Sequence, residues 1–390
     1  MTPGSQPLTA PRSTLALTVV ACGLSLAALP VFLVGGLAVQ IRDELGFTET
    51  ELGAAVTGTF LIGAALGPLG GRLSDRMGAR GAILVGGILS SLALAGIALF
   101  ARGWGTLAAF LGLAGVSFSF MDPGLAILIT RTIPSRRHGF AFGLKEASVP
   151  AATLAAGVAV PAIALTLGWR WALLIGALPL VGLIVLLPRV DMKGSVDGPA
   201  REPVTPPPRR AVVTVAAAAA LGSTAASGIG VFLTESAVAM GMAPGPAGLL
   251  LAAGSVGGIL TRLGTGIRAD RRPGPQLGTI AGLMAIGAAT IALAATGSTL
   301  LLVVGTLGAF SGGWGWSGLL FLSLVRASPS SPGAVAGIGL TGLAIGNAVG
   351  PLAFGAAAQG VSFEAAWAGA AALAAAGSWL MVRAKPHFDR

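Results

Sequence analysis

The chain has 390 residues, 54% of them hydrophobic and only 10% charged, with a mean hydropathy of +0.86. Soluble domains carry about 25% charged residues, so a water-soluble fold is excluded and a polytopic membrane protein is expected. A single cysteine, Cys22, excludes an internal disulfide or a cysteine metal site, and the two histidines, His138 and His387, sit in polar flanks rather than in apolar runs.

Apolar runs near 20 residues, each long enough to cross a bilayer as a helix, recur in order along the chain. The first, 15–39, follows Arg12 and is too long for a cleaved signal peptide, so it reads as a membrane span. Spans 2 to 6 follow at 52–73, 82–101, 105–129, 139–167 and 170–188. Next comes the proline-rich stretch PRVDMKGSVDGPAREPVTPPPRR, read as a linker. Spans 7 to 12 lie at 211–238, 246–267, 275–296, 299–325, 333–359 and 364–383. The abundant glycine and alanine suit helices that approach closely in lipid.

With both termini placed inside, twenty lysines and arginines fall on the cytoplasmic side, against Arg42, Arg102 and Arg170 outside. That asymmetry is the positive-inside signal. It accounts for the net charge of +10 without a nucleic-acid partner.

An internal repeat relates the halves. GRLSDR at 71–76 matches GIRADR at 266–271, and Arg131, Pro134 and Ser135 match Arg326, Pro329 and Ser330 at the same offset of 195. Two six-helix halves of like fold are expected, as 1–188 and 211–390 joined by a linker at 189–210, with a substrate site at their interface.

With twelve spans, a central linker and the charged knot GGRLSDRMGARG between spans 2 and 3, the chain resembles the major facilitator superfamily over essentially its whole length. Gly71, Asp75, Arg76, Gly78 and Arg80 match that family's loop 2–3 pattern, G-x-L-[AS]-D-R-x-G-x-[RK]; Gly266, Asp270 and Arg271 form the degenerate second copy. The resemblance implies an all-α membrane fold of twelve transmembrane helices in two pseudo-symmetric bundles. It also implies a cytoplasmic latch, in which Asp75 reaches the start of span 11 near Gly333 and Asp270 reaches the start of span 5 near Gly139. The stretch GLKEASVP in span 5 is similar to the cyanate and nitroimidazole permease group. The pattern of proton-driven drug antiporters is missing: span 4 has no internal arginine, and span 5 has no Gly-Pro pair.

Ionisable groups inside a bilayer are costly and mark function by default. The candidates for substrate or proton coupling are Asp122 in span 4, Lys145 and Glu146 in span 5, and Glu235 near the outer end of span 7, joined by Trp316 in span 10. The repeat places Ser317 opposite Asp122, and Gly339 and Leu340 opposite Lys145 and Glu146, so the shared scaffold does not require these charges. Consecutive helical residues point about 100° apart, so Lys145 is expected to face the cavity, paired with Asp122, and Glu146 to turn toward Arg76 or Arg80. Other readings stand beside these. Lys145 as a snorkelling anchor, Asp122 serving a bend before Pro123, Glu235 solvated at the outer surface, and Arg262 as a latch partner are each compatible with the sequence. Asn347 is expected to bind backbone freed by Pro351.

The expected function is secondary active transport of a small organic or inorganic anion, coupled to protons, in the plasma or inner membrane. Alternatives are efflux of lipophilic compounds and, in another class, a non-transporting sensor. No nucleophile–base pair and no G-x-x-x-x-G-K-[ST] run is present, so no enzyme activity is expected. The expected partners are the bilayer, a small-molecule substrate and protons, with no nucleic acid, no cofactor and no metal, and a monomeric state.

Overall fold

A computed structural model describes residues 10–192, 207–272, 274–327 and 332–388. Every element among them is helical. Eleven segments are long and apolar enough to cross a membrane, and one of these, Glu49–Phe100, has 52 residues. At 1.5 Å per residue it is about 78 Å long, more than twice the ~30 Å of a bilayer core. It is two spans run together, giving twelve.

The seam between those two spans is the charged knot. Helical geometry runs through Met77 on one side and resumes at Ala79 on the other, and only Gly78 departs from it, at φ 73° and ψ 168°. That region is open essentially to glycine alone, so a single residue reverses the chain where the sequence reading gave a loop of eight. Gly78→Ala is expected to cost about 1–3 kcal/mol, read as a lower unfolding midpoint in detergent. An unchanged midpoint would show that the turn tolerates a Cβ. At the other end of span 2, Thr48 and Glu51 form a reciprocal capping box, which satisfies two backbone donors where the helix starts.

Span 1 is Ala10–Gly36, continued by Ala38–Leu45; span 4 is Trp104–Thr132; span 5 is His138–Ala159, closing in the wide turn Val160–Ala164. Span 6 is divided into Trp169–Gly176 and Pro179–Leu186. Spans 7, 8 and 9 are Arg209–Ala239, Pro244–Asp270 and Leu277–Ala294. Span 10 is broken: Thr299–Gly308 leads into the wide turn Ala309–Gly313, and helix resumes at Ser317–Ala327. Spans 11 and 12 are Pro332–Gly360 and Phe363–Ala384. Twelve crossings bring both described ends to the same side, here termed the basic end because Arg72, Arg76, Arg131, Arg136 and Arg268 lie there; Arg42, Arg102 and Arg170 mark the far end.

The halves meet along three seams, span 1 on 7, span 2 on 11 and span 5 on 8. Small residues make each approach possible. Gly35 lies against the backbone of Val231, Gly53 against the carbonyl of Pro351, and Gly157 against Gly248. The 5–8 seam stays closed to the basic end, where Gly139 and Gly266 meet. Thr57 of span 2 binds into the ladder of span 11 beside Pro351, donating to Ala348 O and accepting from Leu352 N. Asn347, which the sequence reading expected to serve the backbone freed by Pro351, instead lines the cavity between the halves.

Candidate functional site

Above the closed seams lies a cavity of about 510 Å³ walled by both halves. Its lining is largely apolar and includes the rings of Phe32, Phe60, Phe118, Phe142, Trp314 and Phe321. Among the described residues of the lining, four are ionisable: Asp122, Lys145, Glu146 and Arg262.

Lys145 is at the centre of this group. Its Nζ lies 2.5 Å from Asp122 Oδ1 and 3.1 Å from Glu146 Oε1. Lys145 is buried, Glu146 is 27% exposed and Asp122 is 54% exposed. The lysine is therefore no interfacial anchor. It is held inside the protein by two carboxylates, of which Asp122 is the more exposed. The expected pairing with Asp122 is present, and Pro123 beside it sits within the continuous helix of span 4.

Glu146 departs from the sequence reading. It does not turn toward the knot. Its Oε1 accepts from Lys145 and its Oε2 lies 3.5 Å from Ser317 Oγ, across the inter-half boundary. The 100° between neighbours is bridged by the long lysine stem, so both side chains share one interaction. Arg80 instead donates to the carbonyls of Pro188 and Val190, tying the knot to the end of span 6.

Arg262 is the second correction, because it lies in the cavity wall rather than at the latch. Its Nη1 donates to Glu146 O at 2.8 Å, and its Nη2 donates to Trp314 O at 2.8 Å and to Ser317 Oγ at 3.1 Å. The guanidinium sits 5.3 Å from the Trp314 ring centre. Its Nε is buried and has no hydrogen-bond partner. An unpaired donor in such a place is costly.

The broken stretch of span 10 supplies the acceptors. Where the helix unwinds, Trp314 O takes the Arg262 bond and Gly313 O takes the Trp316 indole N–H at 2.8 Å. Irregular backbone at membrane depth is tolerated where protein or a cavity satisfies it. The signal in the sequence was the run GAFSGGWGWSG, whose closely spaced glycines weaken helix. Trp316 lines the cavity but is 1% exposed, so it is a wall and not a free stacking surface. Ser119, Ser223 and Ser227 also line the cavity, whereas Ser117 is buried on Gly86 O.

At the basic end the two copies of the knot differ. Asp270 caps span 5, its carboxylate accepting from Gly139 N and Phe140 N, both at 2.8 Å. A carboxylate at a helix N-terminus satisfies orphan donors and meets the positive end of the dipole. Gly266 lets the two backbones meet there. Asp75 is exposed and bonds to no described residue, Gly71 has open space above it, and Arg76 and Arg271 are exposed. Residues 328–331, which lead into span 11, lie outside the described residues. Asp270→Ala is expected to cost about 0.5–2 kcal/mol, seen as a lower unfolding midpoint. A matching loss in Asp75→Ala would mean that both copies engage equally.

At the far end, Arg42 joins the halves. Nη1 contacts Glu49 at 2.5 Å and Nη2 contacts Glu235 at 2.6 Å. Glu235 is 2% exposed, so it is not solvated at the surface. It lies in span 7, outside the cavity lining, and is not brought together with Asp122 or Lys145.

The sequence model of the family described as Major Facilitator Superfamily matches residues 20–272. Monocarboxylate transporter 11 of Mus musculus is 31% identical over 269 residues, covering 64% of this chain and 60% of the mouse protein. Monocarboxylate transporter 11 of Homo sapiens is 31% identical over 276 residues, covering 67% and 55%. The alignments thus take in less than two thirds of the length of these curated relatives. A crystal structure of a bacterial homolog to the human lysosomal transporter Spinster, inward-facing and unoccupied, aligns with a TM-score of 0.66 at 18% identity, covering 99% of this chain and 97% of that one. The occupied form aligns at 0.65 and 16%.

Proposed function

The chain belongs to the major facilitator superfamily, as a multi-pass membrane carrier that moves a small molecule by alternating access, and from that premise we propose that its substrate is a small monocarboxylate anion. One observation carries the reading. Two cations, Lys145 and Arg262, stand with Asp122 and Glu146 in the wall of a largely apolar cavity between the halves, and Arg262 keeps a buried N–H without a partner. A carboxylate pairs with the ammonium of Lys145 beside the positive charge of Arg262, while the rings take an apolar body. The likeness to proteins named monocarboxylate transporter 11 points the same way. The span 5 stretch similar to cyanate and nitroimidazole permeases supplies Lys145 and Glu146, so the anion reading does not depend on the subgroup.

Transport is coupled to protons in this reading, because the site is already neutral. Lys145 and Arg262 balance Asp122 and Glu146, and an added anion unbalances a low-dielectric cavity. The basic end faces the cytoplasm of the plasma or inner membrane, with both termini inside. Halves 1–188 and 211–390 rock about the closed seams, joined by the linker 189–210 on the cytoplasmic side. Arg42 and Glu235 close the far end, and the Asp270 cap holds the basic end of the 5–8 seam.

The test is uptake of labelled lactate and benzoate by proteoliposomes holding the full chain, with and without an inward proton gradient. Gradient-stimulated uptake of either acid, absent for lipophilic cations, is the expected result. Transport of lipophilic cations alone would replace this reading with efflux.

A further inference from the structure

Resting on the monocarboxylate reading, we infer that Arg262 is a positioning residue, which sets Lys145 and Glu146 for the substrate by gripping a carbonyl that Pro150 leaves free. In a helix the carbonyl of residue 146 accepts from the backbone N–H of residue 150. Here that residue is Pro150, inside span 5. It has no N–H to give, and its ring crowds the same carbonyl. A backbone acceptor at membrane depth needs another donor. Arg262 Nη1 supplies one from the other half, 2.8 Å from Glu146 O.

The packing of span 8 on span 5 aims the arginine at that one carbonyl. Thr153 bonds to Ser255 at 2.6 Å, and Gly258 lies against the ring of Pro150. One turn further along the same face of span 8, Arg262 arrives opposite Glu146, and Gly143 lies against its carbonyl. The arginine is 2% exposed, so the seam holds it in place. Its other terminal nitrogen, Nη2, grips Trp314 O and Ser317 Oγ where span 10 unwinds. One planar fork thus ties span 5 of one half to the broken span 10 of the other. A lysine concentrates the same charge at a single point and lacks the rigid fork.

The tie bears on the substrate because Lys145 leans on Glu146. Lys145 Nζ lies 3.1 Å from Glu146 Oε1, and Glu146 Oε2 lies 3.5 Å from Ser317 Oγ, which Arg262 also holds. Fixing the Glu146 backbone and Ser317 from one guanidinium leaves the glutamate little freedom, and the ammonium stays aimed at the cavity. Groups ordered in advance bind more tightly, because less freedom is lost on binding. Arg262 therefore brings two separable things to the site. Its charge is one that any cation shares, whereas its grip on Glu146 O depends on Pro150. Pro150 is not among the residues lining the cavity, so replacing it alters no lining side chain.

The experiment is calorimetric titration of the purified full chain with benzoate, and with lactate as a second probe. Wild type, Arg262→Lys, Pro150→Ala and the double variant are compared. Pro150→Ala returns the missing N–H, so the helix takes back Glu146 O and the arginine loses it. Each single variant is expected to bind benzoate about tenfold more weakly, in line with one lost charge-assisted hydrogen bond. The double variant is expected to be no weaker than the weaker single one, because both changes break the same link. A double variant about a hundredfold weaker, the sum of independent effects, shows that Arg262 acts without the carbonyl and overturns the assignment. Wild-type affinity in folded Arg262→Lys or Pro150→Ala, with only a lower unfolding midpoint, makes the bond purely structural and overturns it too. If Arg262→Lys does not fold, Pro150→Ala decides: weakened binding supports the assignment, and unchanged binding ends it. Absence of binding of both probes to the wild type overturns the monocarboxylate reading and this assignment with it.

Discussion

Lys145→Ala is expected to abolish substrate uptake. In the proposed reading the ammonium makes a charge-assisted bond to the incoming carboxylate, and such bonds contribute about 1.5–3 kcal/mol, which is roughly a 10- to 150-fold loss of affinity. Its removal also strands Asp122 and Glu146, now 2.5 Å and 3.1 Å from an absent partner. Removing one member of a buried pair costs about 3–5 kcal/mol. Because Asp122 is half exposed, solvent screening brings the cost toward the low end of that range. The variant should therefore be both inactive and less stable in detergent. The double variant Lys145→Ala with Asp122→Asn restores neutrality, and it is expected to regain most of the stability and none of the transport. Labelled benzoate uptake and the unfolding midpoint, measured side by side, separate the two effects. Wild-type uptake in Lys145→Ala would sink the anion site and leave the lysine a structural pair.

Glu235→Gln is expected to shift the carrier toward the state open at the far end. Arg42 holds Glu49 of its own half and Glu235 of the other, so the substitution leaves the arginine with a partner and cuts only the inter-half tie. A hydrogen bond to a charged group is worth about 1.5–3 kcal/mol. Arg42 is 27% exposed, which places the effect at the lower end, a shift of about tenfold in the equilibrium. Ser227→Cys in a Cys22→Ser background reports it, since Ser227 lines the cavity. Labelling by an impermeant thiol reagent from the far side should rise about tenfold when Glu235→Gln is added. Unchanged labelling would mean that Arg42 and Glu235 are a static pair and that other contacts close the far end.

The corrected residues show how much of the site was legible in sequence. The pairing of Lys145 with Asp122 could be anticipated because both charges sit at similar depth in adjacent spans. The place of Glu146 could not, because a lysine stem reaches across the 100° that separates neighbours on a helix. Arg262 was misplaced for a related reason. Its depth is readable from the span, but its direction depends on where span 10 unwinds to offer carbonyls.

Twelve spans, their halving about a proline-rich linker, the basic bias of one side and the repeat of the knot follow from the sequence by itself. These are sums over local composition, and transfer to lipid or attraction to one membrane face acts on each segment separately. Tertiary structure alone decided that Glu146 meets Ser317, that Arg262 meets Trp314, that Thr57 binds into the ladder of span 11 beside Pro351 while Asn347 lines the cavity, and that Glu235 is sealed on Arg42. Each of those contacts depends on how a helix is rotated about its own axis. In a bilayer that rotation is set by packing against neighbouring helices, and no span carries it alone.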